Sequence, residues 1–172
     1  MRSRFGIAHN LEYYSEPDLL SILARSAGLL GMAAAPEAYG LVAARSRGTP
    51  RIANRLLRRV RDFSQVKAKG QLSKQVVDDA LGLEGVDALG LDDIDRKYMR
   101  VIADVYRGGP VGLEAIAATL GEDSGTLEEV VEPYLLQIGF LARTRRGRQL
   151  THDGGEHIGV QVEDPPIETE LF

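Results

Sequence analysis

No cysteine occurs anywhere in the 172 residues. That removes disulfide frameworks and thiolate metal sites together, and it agrees with a reducing cytoplasm. Histidine is nearly as scarce. His9, His152 and His157 are too few and too scattered for a metal site, so none is expected. His152 adjoins Asp153, but no activated serine or cysteine accompanies them, which leaves a hydrolase reading without a nucleophile. No apolar run approaches the length of a membrane span, and no secretory signal opens the chain. Also missing are a glycine-rich phosphate loop ending in Lys-Ser/Thr and an acidic strand end that would hold magnesium. The chain is therefore not a self-contained nucleoside triphosphatase. Internal repeats and low-complexity tracts are absent too.

What is present is ordinary globular material, 44% hydrophobic and 27% charged. The length suffices for two small domains. The net charge of −4 conceals a division. Residues 1–70 carry 12 Lys and Arg against 5 Asp and Glu, whereas residues 71–172 carry 9 against 20. Such asymmetry implies different partners for the two halves. Overall acidity excludes a protein that coats nucleic acid indiscriminately, but it permits a local basic device.

The basic half is organised around residues 48–63, GTPRIANRLLRRVRDF. Thr49 is placed to cap the first turn of a helix, and Pro50 suits the first helical position, where no N–H is needed. Ile52, Leu56, Val60 and Phe63 recur at helical spacing, so one face is apolar and arginines fill the rest. Arg51 falls in the first turn, where open backbone amides favour an anion, and its guanidinium suits phosphate.

Around this helix the reading is mainly α. Phe5-Gly6-Ile7 and Leu11-Glu12-Tyr13-Tyr14 are short strand-like runs without neighbours. Helices are expected from Glu16 to Leu30, from Pro36 to about Arg47, from Pro50 to about Lys67, and from a Ser73 cap to about Leu81. Four helices with short turns make a small bundle. Glycines at 82, 85 and 90 mark residues 83–91 as a hinge. A long helix then starts at Asp92 or Asp93, followed by a short extended piece at Pro110-Val111-Gly112. Further helices span Leu113 to Leu120 and about Thr126 to Gln137. Two strands around the turn Arg146-Gly147 follow, and a short helix covers His152 to His157. Three helices plus a β-hairpin in that order are a winged helix. The tail 161–172 is acidic and carries Pro165-Pro166.

The hairpin is itself basic, Arg143-Thr144-Arg145-Arg146-Gly147-Arg148, inside an otherwise acidic half. The helix that usually enters the major groove carries Glu128, Glu129 and Glu132 and no basic residue. The wing is therefore the expected DNA contact. Arginines on backbone phosphate hold a duplex without reading its sequence. If all four engage phosphates, the log–log salt slope of binding is about −3 to −4.

Read together, Arg2-Ser3-Arg4-Phe5-Gly6-Ile7, the Arg-rich helix and the wing closely resemble the RuvB family, the bacterial AAA+ motors of Holliday-junction branch migration. The resemblance runs from Arg2 to about Val160 in unbroken order. It implies a remnant of the large ATPase domain (1–14), an AAA+ lid (15–82), the hinge (83–91), a winged-helix domain (92–160) and the tail (161–172). It assigns Arg4 as the arginine finger acting in trans, with Arg2 matching a nearby family arginine. Arg51 aligns with the lid arginine that reaches the nucleotide phosphates, and Tyr14 with a residue near the adenine. Arg143 and Arg148 align with wing arginines that contact DNA. Arg145 and Arg146 lie between them, and Arg145 stands where familiar members have proline. The implied cofactors are ATP and ADP, with magnesium held by the large domain. The implied partners are junction or duplex DNA, RuvA, and further copies in a hexameric ring, in a bacterial cytoplasm and with no membrane. Without its large domain this chain alone is expected to hydrolyse no ATP and to bind RuvA poorly. Two other readings remain open on the residues. A non-enzymatic winged-helix regulator would discriminate between DNA sequences, and a protein-interaction module would bind no DNA at low salt.

Overall fold

The computed structural model describes residues 12–33 and 35–162, in two units that divide between Leu91 and Asp92. Arg2, Arg4, Phe5 and Ile7 lie outside the described residues, as does the tail beyond Val162.

The first unit is a four-helix bundle made of α1 (Glu16–Leu29), α2 (Pro36–Ala44), α3 (Pro50–Lys67) and α4 (Lys74–Leu83). Local signals start all four, a hydroxyl cap for two and a proline for the other two. The Ser15 hydroxyl accepts the Asp18 amide, Pro36 and Pro50 open α2 and α3, and the Ser73 hydroxyl accepts the Val76 amide. Thr49 departs from its expected role. It occupies the capping position, but its hydroxyl donates back to the Arg47 carbonyl at 3.2 Å and makes no cap bond. Helical spacing sends Leu19, Leu23 and Ala27 of α1, Leu56, Leu57 and Val60 of α3, and Val77, Ala80 and Leu81 of α4 into one aliphatic core. Ile52 and Phe63 pack against that core from its margin.

Two connections complete this unit. Glu12 to Tyr14 form no strand; instead the Tyr14 amide donates to the Gly48 carbonyl at 2.9 Å. Gly48 holds φ at 66°, and a Cβ there would come within 2.6 Å of the Tyr13 Cβ. Residues 84–91 are fastened down. Val86 and Leu91 are buried, the Asp87 carboxylate accepts the amides of Leu89 and Leu91, and Arg47 Nε donates to the Gly90 carbonyl.

The second unit begins with α5 (Asp93–Arg100), which runs on as a wider π-helical turn, Val101–Val105. Asp92 and Asp95 cap it reciprocally. Helix α6 (Leu113–Leu120) stops at Gly121, which takes a left-handed conformation. The next helix comes in three pieces: α7 (Ser124–Thr126), a π-helical segment (Leu127–Val131) and α8 (Glu132–Gln137). Pro133 supplies the reason. It has no N–H for the carbonyl four residues back, and its ring crowds that carbonyl, so the turn before it widens. Strands β1 (Leu141–Thr144) and β2 (Gly147–Leu150) pair antiparallel, with Arg143 opposite Arg148. Val111 adds a single bridge to Arg148, with reciprocal backbone bonds of 2.9 and 2.7 Å. Gly147 makes this approach possible, because any Cβ there would collide with the Val111 carbonyl oxygen. Helix α9 (His152–His157) closes the unit. Tyr98, Met99, Ile102, Ile116, Leu127, Leu135 and Leu150 are buried. No described helix is long and apolar enough to cross a membrane.

Candidate nucleic-acid interface

The wing is built on one buried carboxylate. Glu132 opens α8 between Val131 and Pro133 and is completely buried. Isolated, such a charge would be untenable in the interior, so it needs partners. One oxygen accepts the Tyr98 hydroxyl at 2.6 Å and Arg148 Nε at 2.8 Å. The other accepts Arg143 Nε at 2.9 Å, a short bond from the Arg143 amino group, and Arg148 at 3.4 Å. Burial alone would raise the Glu132 carboxyl. Hydrogen bonds from Arg148, Tyr98 and Arg143 outweigh it and hold the group below its ordinary value. Burial and the adjoining carboxylate push the Tyr98 hydroxyl well up, so it stays a donor. The Arg148 guanidinium is raised by its bond to Glu132, against the opposing effect of burial.

The pairing orients both arginines. Arg143 and Arg148 are cross-strand partners, so their side chains share one face of the hairpin, and that face meets Glu132. The Arg148 side chain is 18% exposed and the Arg143 side chain 44%. Beyond Glu132, both amino groups turn to Glu128, at 3.4 and 3.5 Å. Arg145 and Arg146 form the exposed tip, where the Arg146 amide is held by the Thr144 hydroxyl. Arg143 and Arg148 are thus engaged by carboxylates, which corrects the reading in which that pair would meet phosphate unopposed. The acidic helix is also not simply repulsive, since the Glu132 charge lies beneath the wing and not on the surface. Sequence reading placed Glu132 on an acidic, DNA-repelling helix face, where the structure buries it, and did not single out Tyr98. One signal was available, a lone glutamate between Val131 and Leu135 in an apolar run, just ahead of the two strands that carry the paired arginines.

The other candidates gather at the bundle. Arg51 is exposed in the first turn of α3 and pairs with no described residue. Tyr14, 51% exposed, is tied by its amide to Gly48, three residues before Arg51. The two share one corner of the first unit. The remaining arginines of α3 lie along its solvent side. Arg61 binds Asp62 with two nitrogens, Arg59 meets Glu84 at 3.4 Å, and Arg58 Nε donates to the Asn54 carbonyl. His152, Asp153 and Glu156 come within 4.8 Å of one another on α9, which the sequence did not anticipate. All three are exposed, as acidic surface helices commonly are.

Two domain families match this chain in sequence order. The RuvB AAA lid domain covers residues 14–87, and the RuvB C-terminal winged helix domain covers residues 88–159. The chain belongs to the RuvB family. It is 52% identical over 160 residues to the Holliday junction branch migration complex subunit RuvB of Latilactobacillus sakei, which takes in 93% of this chain and 48% of that protein. The Thermotoga maritima RuvB Holliday junction branch migration motor superposes with a TM-score of 0.89 at 46% identity, covering 94% of this chain and 54% of that one. A point mutant of the same Thermotoga RuvB gives 0.88. The chain therefore spans about half the length of the RuvB proteins it matches. Its bundle corresponds to the RuvB lid and its second unit to the RuvB winged helix, so the family and the mainly α, two-domain fold read from the sequence are borne out.

Proposed function

We infer that this chain is the lid and DNA-handling portion of an ATP-driven motor that migrates Holliday junctions in DNA recombination and repair. The observation that carries the reading is the arginine pair. Two cross-strand guanidiniums, oriented by a buried carboxylate, stand beside an exposed basic tip on an otherwise acidic domain. Guanidiniums held in that way suit phosphate oxygens. They read no base edges, which fits a motor that must pass over any sequence. Arg143, Arg146 and Arg148 contact the DNA backbone on this reading, with Arg145 beside them.

The lid serves the nucleotide. Exposed Arg51 at the amide-rich start of α3, with Tyr14 at the same corner, fits the lid side of an ATP site. Bound ATP supplies the phosphoanhydride bond whose cleavage drives the motion. Arg51 reaches toward its phosphates and Tyr14 packs near its base, and the lid takes a different orientation with ATP and with ADP. The end of the 83–91 segment, where the two units divide between Leu91 and Asp92, then serves as the joint through which the winged helix follows. Arg4, outside the described residues, serves a neighbouring subunit as an arginine finger. Hexameric assembly, RuvA and a bacterial cytoplasm belong to the intact motor. The 172 residues alone hydrolyse no ATP on this reading, since the phosphate loop and the magnesium ligands belong to the large domain.

The test is fluorescence anisotropy with two unrelated duplexes of equal length and a four-way junction. The reading predicts equal affinity for the two duplexes and a marked loss on Arg143→Ala. Strong preference for one duplex would favour a regulator, and no binding at low salt would favour a protein-interaction module.

A further inference from the structure

Two glutamates on one helical face meet the same two arginines in different ways. Glu132 is buried and saturated by Tyr98, Arg143 and Arg148 at close distances. Glu128 lies one turn earlier, its side chain half exposed. A single oxygen of Glu128 sits between the amino groups of Arg143 and Arg148, at 3.4 and 3.5 Å. Those distances are at the outer limit of a hydrogen bond, and exposed pairs of this kind are weak. The charges also divide. Glu132 neutralises one of the two guanidiniums, and Glu128 faces what remains. An anion oxygen placed between two arginine amino groups is the arrangement in which a phosphate would bridge them.

We propose that Glu128 is a displaceable occupant of the phosphate position, a counter-anion that DNA must push aside. Glu132 keeps the arginines aimed while Glu128 lowers their affinity for the backbone. The occupant it competes with is a DNA phosphate, so this inference rests on the function proposed above. A wing so moderated lets go of each phosphate quickly, as a translocating contact must. Glu129 provides the internal comparison, because it adjoins Glu128 on the same turn and is exposed without meeting either arginine.

The experiment is anisotropy of a labelled duplex against the full chain across a salt series, for the native chain, Glu128→Gln, Glu129→Gln, Arg143→Ala and the Glu128→Gln/Arg143→Ala double variant. Glu128→Gln is expected to tighten binding about two- to fivefold, the range an exposed ion pair is worth. Its log–log salt slope should steepen by up to about 1. Glu129→Gln should change affinity less, and the gain from Glu128→Gln should shrink in the Arg143→Ala background, where only the Arg148 contact remains. If Glu128→Gln binds no tighter than Glu129→Gln while Arg143→Ala still weakens binding, the displaceable role is overturned and the wing reading stands. If Arg143→Ala binds as the native chain does, the wing reading fails and this inference with it.

Discussion

The two units solve the same packing problem with opposite uses of charge. Among the described residues, the bundle buries only two polar side chains, Ser46 and Ser64. Both spend their hydroxyls on nearby carbonyls, of Val42 and Arg61. The arginines of α3 stay on its solvent side, and Arg45 and Arg47, which tuck in ahead of it, meet the half-exposed Asp78 and the Gly90 carbonyl. The winged helix buries two carboxylates, Asp95 and Glu132, and leads its arginines inward to one of them. Apolar burial alone suffices where a helix need only present a basic side chain at its end. A β-hairpin tip is inherently mobile, so aiming long side chains from it requires an anchor in the core. Buried ion pairs add little to stability against an apolar substitute, but breaking one is costly. The Glu132 cluster is therefore better read as fixing direction than as strengthening the fold.

The contrast can be broken in order of size. Leu57→Ala empties a fully buried position in α3 and should cost about 2–5 kcal/mol. Hydrogen exchange should then accelerate across residues 15–86 and stay unchanged in the second unit; acceleration in both would join what the contrast separates. Glu132→Ala strands a buried phenol and two arginines. Because Arg143 is already half exposed and can turn to water, the cost should fall at the low end of about 3–5 kcal/mol. Thermal unfolding measures that cost, and DNA binding should weaken with it. The same carboxyl gives a pH signature. Its value is held below that of an ordinary glutamate, so its contribution is complete above about 4.3 and disappears as pH falls through the lower, folded value. Glu132→Gln should thus be the less stable protein at neutral pH and should converge with the native chain in acid. A constant gap down to the acid transition would argue against the pairing. The smallest effect is at Thr49. A true cap is worth about 1 kcal/mol, but this hydroxyl points back to Arg47, so Thr49→Ala should cost only a few tenths in a denaturant melt.

Much of this architecture was legible in the residues because it is local. Pro50, Ser73 and Asp92 start the helices they were read to start, and the period of Leu56 and Val60 faces the core. The wing turn and the short α9 were legible for the same reason. What escaped was set by contacts between distant positions. Pro133 sits inside a run read as one continuous helix, and only the fold shows the widened turn that accommodates it. The glutamates of that helix read as a repelling face, since the apolar neighbours of Glu132 hint that it points inward but say nothing of what it meets there. Its partners are 11 and 16 residues away, on strands whose register had first to be known. Thr49 shows the converse, a correct position with a hydroxyl that chose another acceptor.

The most direct test of the central claim, that aimed wing arginines grip the DNA backbone, is the salt dependence of duplex binding by the native chain and by a wing variant carrying Arg143→Ala and Arg146→Ala. The native log–log slope should be about −2 to −3, short of the value for four unopposed arginines because Glu128 offsets part of their charge, and the double substitution should make it shallower by about 1 to 2. A native slope near zero, or one the double substitution leaves unchanged, would contradict the account.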